Sequence, residues 1–190
     1  MTNIYLGLVH YPVTNREGLT VVTSITNLDI HDIARSCITF GVKNYFVIQP
    51  NKRQKEIFDR LINFWKTDIA KFYNKDRVEA LSLIQFENTI DDTIQNIKYQ
   101  DGCDPLIITT TAAIMDKQIS FADFQRVIQN EKKPVLILFG TGNGLSPEVH
   151  QKADYILQPI EGKNNYNHLS VRSAAAIVLD RITSDKYKEE

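Results

Sequence analysis

The 190-residue chain holds only two cysteines, Cys37 and Cys103, in separate segments and with no CxxC or Cys/His spacing, so neither a disulfide framework nor a zinc site is expected. It has no run of roughly 18 apolar residues able to cross a bilayer, and its first residues are not a basic-then-apolar leader. These absences predict a cytoplasmic protein that works without a membrane and without a metal. Charge is nearly balanced, formally −1 at pH 7, with a pI of about 6.4, which excludes a uniformly basic nucleic-acid binder. What is present is 43% hydrophobic residues, enough for one sizeable core. A second core would leave both pieces small, so residues 1–190 are expected to form a single domain.

The near-neutral total conceals an uneven distribution. Residues 43–77 hold nine Lys or Arg against four acids, a local excess of five positive charges. They interleave with Tyr45, Phe46, Phe58, Phe64, Trp65, Phe72 and Tyr73, a combination that can follow phosphates and stack bases. The same composition also describes a solvated helix face above ordinary core aromatics, so it permits a nucleic-acid partner without requiring one.

Apolar β-branched runs alternate with amphipathic stretches along the whole chain, the pattern of an α/β protein with a mostly parallel sheet and helices on both faces. Strands are expected at residues 4–9, 45–48, 81–84, 106–110, 135–139 and 155–157, several without polar alternation, as strands covered on both sides should be. Ile30, Ile33, Ala34, Cys37 and Ile38 fall at helical spacing and make one buried stripe. Further helices are expected at residues 54–65, 89–98, 121–129 and 170–183, the last with Val171, Ala174, Val178 and Ile182 along one seam.

Ligands of open α/β sheets bind beyond the carboxyl ends of the strands, which singles out three places. One apolar strand breaks into Thr109, Thr110 and Thr111, hydroxyls that can line a pocket or simply cap the next turn or helix. A second ends in VLILFGTGNGLSPE, where Gly140, Gly142 and Gly144 allow sharp turns and close backbone approach. Its spacing is GxGxG and it comes after the fifth strand, unlike the GxGxxG placed after the first strand of dinucleotide-binding folds. The third place is the loop after residue 157, rich in Gly162, Asn164, Asn165 and Asn167, which leads into a small-residue helix start at residues 170–176.

Taken in order, HDIARS with ITFGVKNYFVI, then LFGTGNGLSPEV, then LQPIEGKNNYNHLSVRSAAAIVLDRI, resemble the SPOUT methyltransferases. In particular they are similar to the S-adenosylmethionine-dependent RNA methyltransferases that stand alone or fused to a bacterial tRNA methyltransferase. The resemblance implies a parallel sheet of about six strands whose C-terminal portion threads through itself as a deep trefoil knot, a rare exception to unknotted topology. It implies that S-adenosylmethionine is held by Thr109, Thr110, Leu138, Phe139, Gly140, Thr141, Gly142, Gly144, Ile160, Gly162, Asn167, His168, Leu169, Ser170 and Ser173. It implies an RNA substrate, tRNA or rRNA, and a homodimer in which the target is approached across the interface. Arg35 matches the arginine that positions and activates the acceptor in the ribose-methylating branch, although an Asp32 to Arg35 pair one helical turn apart would account for it equally.

Two departures leave the acceptor atom open. The ribose-methylating branch has asparagine where this chain has Asp29, and Gly-Pro-Glu where it has Gly140-Thr141-Gly142. A base nitrogen with Asp29 or Asp32 as general base is therefore as consistent as a ribose 2'-oxygen. His10 is a further acid or base candidate, or a structural histidine. The alternatives from other classes are a non-catalytic RNA-binding or assembly module on the same fold, and a flavodoxin-like nucleotide or phosphate binder.

Overall fold

Helix starts in this chain are written into its polar residues. Thr26, Asn51, Thr67, Asn74, Thr89, Ser120 and Ser170 each accept a hydrogen bond from a backbone N–H in the first turn of the adjoining helix, satisfying donors that a helix leaves unpaired. The computed structural model describes residues 2–164 and 166–184. In chain order the elements are β1 (Ile4–Val9), β2 (Val13–Thr14), β3 (Thr20–Val21), α1 (Asn27–Thr39), β4 (Asn44–Ile48), α2 (Lys52–Trp65), α3 (Asp68–Tyr73), α4 (Lys75–Leu81), β5 (Ile84–Glu87) and α5 (Ile90–Asp101). They continue with β6 (Leu106–Thr109), β7 (Gln118–Ile119), α6 (Phe121–Asn130), β8 (Val135–Gly140), α7 (Pro147–Gln151), β9 (Tyr155–Leu157) and α8 (Val171–Thr183).

Seven strands form one sheet in the order β5-β4-β1-β8-β6-β9-β7, with β2 and β3 as a separate hairpin. Every pairing in the large sheet is parallel, so its carboxyl ends share one edge. From β1 the chain moves outward to β4 and β5, whereas β6, β9 and β7 lie beyond β8. The crevice above the ends of β1, β8 and β6 is thus the place where the strand order reverses.

Alternation along the strands feeds two cores. Ile4, Leu6, Leu8, Val47, Ile137 and Phe139 bury one face against α1, α2, α4, α6 and α8. Tyr5, Val9, Phe46, Ile48, Leu136 and Leu138 bury the other against Ile97 of α5 and Val149 of α7. Cys37 is fully buried in the first core, and desolvation pushes its thiol pKa up, as befits a small apolar filler.

The α/β class and the parallel sheet agree with the sequence pattern, with corrections in detail. The strand expected at 81–84 begins at Ile84 and runs to Glu87, because Asn74 caps a helix whose last turn buries Ala80 and Leu81. A four-residue apolar window cannot separate a buried helix end from a strand. The sheet also gains β7, two residues long, which pairs with β9. No helix among the described residues is long and apolar enough to cross a membrane.

Candidate cofactor and acceptor site

Three segments meet beyond the carboxyl ends of β6, β8 and β9. Thr110 donates both its N–H and its hydroxyl to the Leu138 carbonyl, at 3.1 and 2.9 Å, tying the chain leaving β6 to β8. Asn167 donates its side-chain amide to the Ala112 carbonyl at 2.8 Å, tying the late loop to the same segment. Gln158 N–H donates to Ile119 O at 3.0 Å. Ser170 caps α8 by accepting from the Ser173 N–H, with the two hydroxyls 3.0 Å apart. Thr109 is fully buried, and its hydroxyl is taken by His150 Nδ1 at 2.9 Å. Asn165 lies outside the described residues.

The glycines make the sharp turn that their spacing implies, with Gly142 and Gly144 at positive φ, but two of them face the protein's own backbone. A Cβ on Gly140 would lie 2.4 Å from Leu145 N and 2.6 Å from Gly144 C, so that glycine makes room for its own returning loop. Gly142, at φ +61, faces the Thr14 carbonyl on the hairpin. Only Gly144, at φ +106, has open space around its missing Cβ within this loop. Thr141 spends its hydroxyl on Val9 O and on the Thr23 hydroxyl.

At the start of α1, Asp29 is buried to all but 7%. Thr26 hydroxyl donates to its Oδ2 at 2.7 Å, and Arg172, in the first turn of α8, reaches its Oδ1 at 3.3 Å. Arg172 also lies 3.6 Å from Asp32. Asp32 therefore pairs with Arg172 and not with Arg35. Arg35 sits about 9 Å farther along the helix axis from Asp29, exposed on a groove of about 280 Å³ with Ile38, Thr39, Asn74, Asp76, Arg77 and Ala80. The structure thus joins Asp29 and Asp32 to the end of the late loop through a residue that sequence reasoning missed, and leaves Arg35 apart from them.

Residues 3–184 match the family described as SAM-dependent RNA methyltransferase. The chain belongs to that family. It is 42% identical over 183 residues to a tRNA (guanine-N(1)-)-methyltransferase of Oleidesulfovibrio alaskensis, covering 96% of this chain and 42% of that one. It is 37% identical over 182 residues to an uncharacterized protein of Aquifex aeolicus, covering 96% and 89%. This methyltransferase-family chain therefore spans about two fifths of the length of the tRNA methyltransferase relative and most of the other. The TrmH/SpoU tRNA modifying enzyme of A. aeolicus aligns with a TM-score of 0.60 at 15% identity, over 96% of this chain and 75% of that one, a likeness of SPOUT fold.

The family's cofactor finds suitable chemistry at the three converging segments. Among the described residues the N–H groups of Gly142, Ile160, Asn167, His168 and Leu169 have no intramolecular acceptor. All of them except half-buried Ile160 and Asn167 are exposed. Leu169, 46% exposed, and Ile160 add aliphatic surface, and a Cβ on Gly162 would meet nothing nearer than Tyr166 O at 3.9 Å. Free backbone donors beside apolar side chains suit a purine edge and face. By contrast, the Leu138 carbonyl and the Thr109 and Thr141 hydroxyls are already engaged within the protein. Among the described residues no group of three His, Cys, Asp or Glu is arranged to hold a metal ion.

Proposed function

We propose that this chain methylates RNA, tRNA or rRNA, as a cytoplasmic homodimer, with S-adenosylmethionine held by the segments beyond β6, β8 and β9. The observation that carries this reading is that these segments end on Ser170, and that Arg172, two residues on, clamps Asp29 and Asp32 of α1. A cofactor platform and a pair of carboxylates are thereby fixed to the same helix start. The proposed cofactor set is the free N–H groups of those segments together with Phe139, Gly140, Gly144, Gly162, Ser170 and Ser173.

S-adenosylmethionine supplies an electrophilic methyl group on a sulfonium, and its departure leaves a neutral thioether. What the protein must add is alignment and a destination for the proton of the acceptor. Both Asp29 oxygens have partners, so Asp29 orients Arg172, and the more exposed Asp32 receives the acceptor's proton. Arg35, on its groove beside Arg77, grips RNA phosphate from the same helix. Threading of the C-terminal segment as a trefoil knot is supported by the Asn167–Ala112 bond and by the packing of α8 on α1, β8 and α6 although β9 lies beyond β6.

Calorimetry with S-adenosylmethionine and with S-adenosylhomocysteine tests the cofactor, and transfer of tritiated methyl to total RNA from a strain lacking the gene tests the reaction. Saturable binding, with transfer that falls at least tenfold in Asp32→Asn and Arg172→Ala, is expected. Absence of binding by folded protein would sink the cofactor reading. Binding without transfer to any RNA would leave the non-catalytic module as the function.

A further inference from the structure

His10 stands at the end of β1, beside the strand-order reversal, and only 1% of it is exposed. Its Nδ1 lies 3.0 Å from the Thr23 hydroxyl, which contacts the Thr141 hydroxyl, which in turn lies 3.1 Å from Val9 O. Each hydroxyl has one proton, and the Val9 and His10 carbonyls can only accept. Thr141 donates to Val9 O while Thr23 donates to Thr141, or Thr23 donates to its 3.5 Å contact His10 O while Thr141 donates to Thr23. Either arrangement uses the Thr23 proton, so His10 Nδ1–H donates to Thr23. The imidazole is therefore the Nδ1–H tautomer, and Nε2 carries a lone pair.

That lone pair has no hydrogen-bond partner among the described residues. Among the described residues, His31 Nδ1 and Arg77 Nε are unpaired side-chain atoms sealed from solvent, and His10 Nε2 is not. Burial lowers the His10 pKa to about 4, against the opposing pull of the Asp29 carboxylate. The ring is thus a neutral acceptor throughout the physiological range, unable to act as a general acid. It is linked on one side to the Gly140 loop through Thr23 and Thr141, and on the other feels the carboxylate clamped by Arg172. Nε2 keeps a small solvent contact, where a donor on a ligand can replace water.

We infer that His10 Nε2 reads the acceptor nucleotide, accepting a hydrogen bond from one of its N–H or O–H groups. The inference rests on the methyltransferase reading, and places a specificity-determining residue at its substrate end. A nucleotide lacking that donor would leave Nε2 unpaired and be rejected.

Two substitutions separate this role from a structural one. In His10→Asn the side-chain amide can still donate to Thr23 but nothing occupies the Nε2 position; in His10→Gln an amide oxygen can reach the Nε2 position while the Thr23 bond is lost. The expected result is that His10→Asn loses at least tenfold in kcat/KM for RNA with S-adenosylmethionine affinity unchanged, and that His10→Gln stays within about threefold. The opposite ranking, or an equal loss of cofactor affinity, would overturn the inference. Long-range ¹H–¹⁵N imidazole spectra of the wild type give a readout that needs no turnover. They should show Nδ1 protonated, and an Nε2 resonance that moves when RNA is added. A protonated Nε2, or an Nε2 signal indifferent to RNA that does bind, would refute the inference even if methyl transfer is observed. If cofactor and RNA both bind, Nε2 responds and no methyl is transferred, the reaction assignment fails while the contact stands.

Discussion

Acid should destabilise this protein well above the range in which its carboxylates titrate, and His10 should be a principal cause. In the unfolded chain an imidazole takes up a proton near pH 6.5; in the folded protein burial holds His10 at about 4. A folded-state pKa below the unfolded value means that the unfolded state binds the proton first. The penalty is absent above pH 6.5, grows as pH falls, and is complete below 4. At pH 5 the unfolded ring is nearly all protonated and the folded ring nearly all neutral, a difference of roughly 2 kcal/mol. Burial also lowers the pKa of His150 and, together with the Arg77 charge, that of His31, so both act in the same direction. The effect of His10 alone is therefore read from urea unfolding at pH 7.5 and 5.0 in the wild type and in His10→Asn and His10→Gln. Both variants should lose roughly 2 kcal/mol less than the wild type between the two pH values, whatever their stability at pH 7.5. Equal losses in all three proteins would rule out His10 as a source of the acid sensitivity.

Gly140→Ala should cost about 1–3 kcal/mol in thermal or urea denaturation, because its Cβ would meet backbone atoms of Leu145 and Gly144 that no rotamer change can clear; a neutral outcome would mean that the loop departs from this geometry. Asp29→Asn and Arg172→Ala should be non-additive in a double-mutant cycle, with a coupling of about 1 kcal/mol for a half-buried pair 3.3 Å apart, and strict additivity would show that the pair contributes nothing. Arg77→Gln should reduce the salt dependence of RNA binding by about one unit of slope with S-adenosylmethionine affinity unchanged, because the guanidinium that stacks 5.4 Å from the Trp65 ring centroid also lines the Arg35 groove. An unaltered slope would remove that groove from the RNA surface.

Local sequence was enough to specify the fold class and most of the long elements, but not the short β2, β3 and β7 or the helices α3 and α4. Thr26, Thr89, Ser120 and Ser170 start helices through contacts three residues away, and the runs at 4–9 and 135–139 are apolar enough to be strands buried on both faces. Such signals act within a few residues, so they are legible without knowing the fold. The limits appeared where two local readings compete, as at Leu81, whose burial fits a helix end and a strand alike until Asn74 is seen capping the helix. The ordered motifs also indicated which strand ends to propose as the site. Which residues work together there was a matter of long-range contact alone. Asp29 and Arg172 are 143 positions apart, and Thr23 and Thr141 are 118 apart. Nothing in either neighbourhood announces its partner, because these contacts exist only after the parallel crossovers have set β8 beside β1 and packed α8 on α1. The same closure gave the space beside Gly140 to the loop's own backbone and that beside Gly142 to the hairpin, and left His10 with one nitrogen bonded and the other without a partner among the described residues.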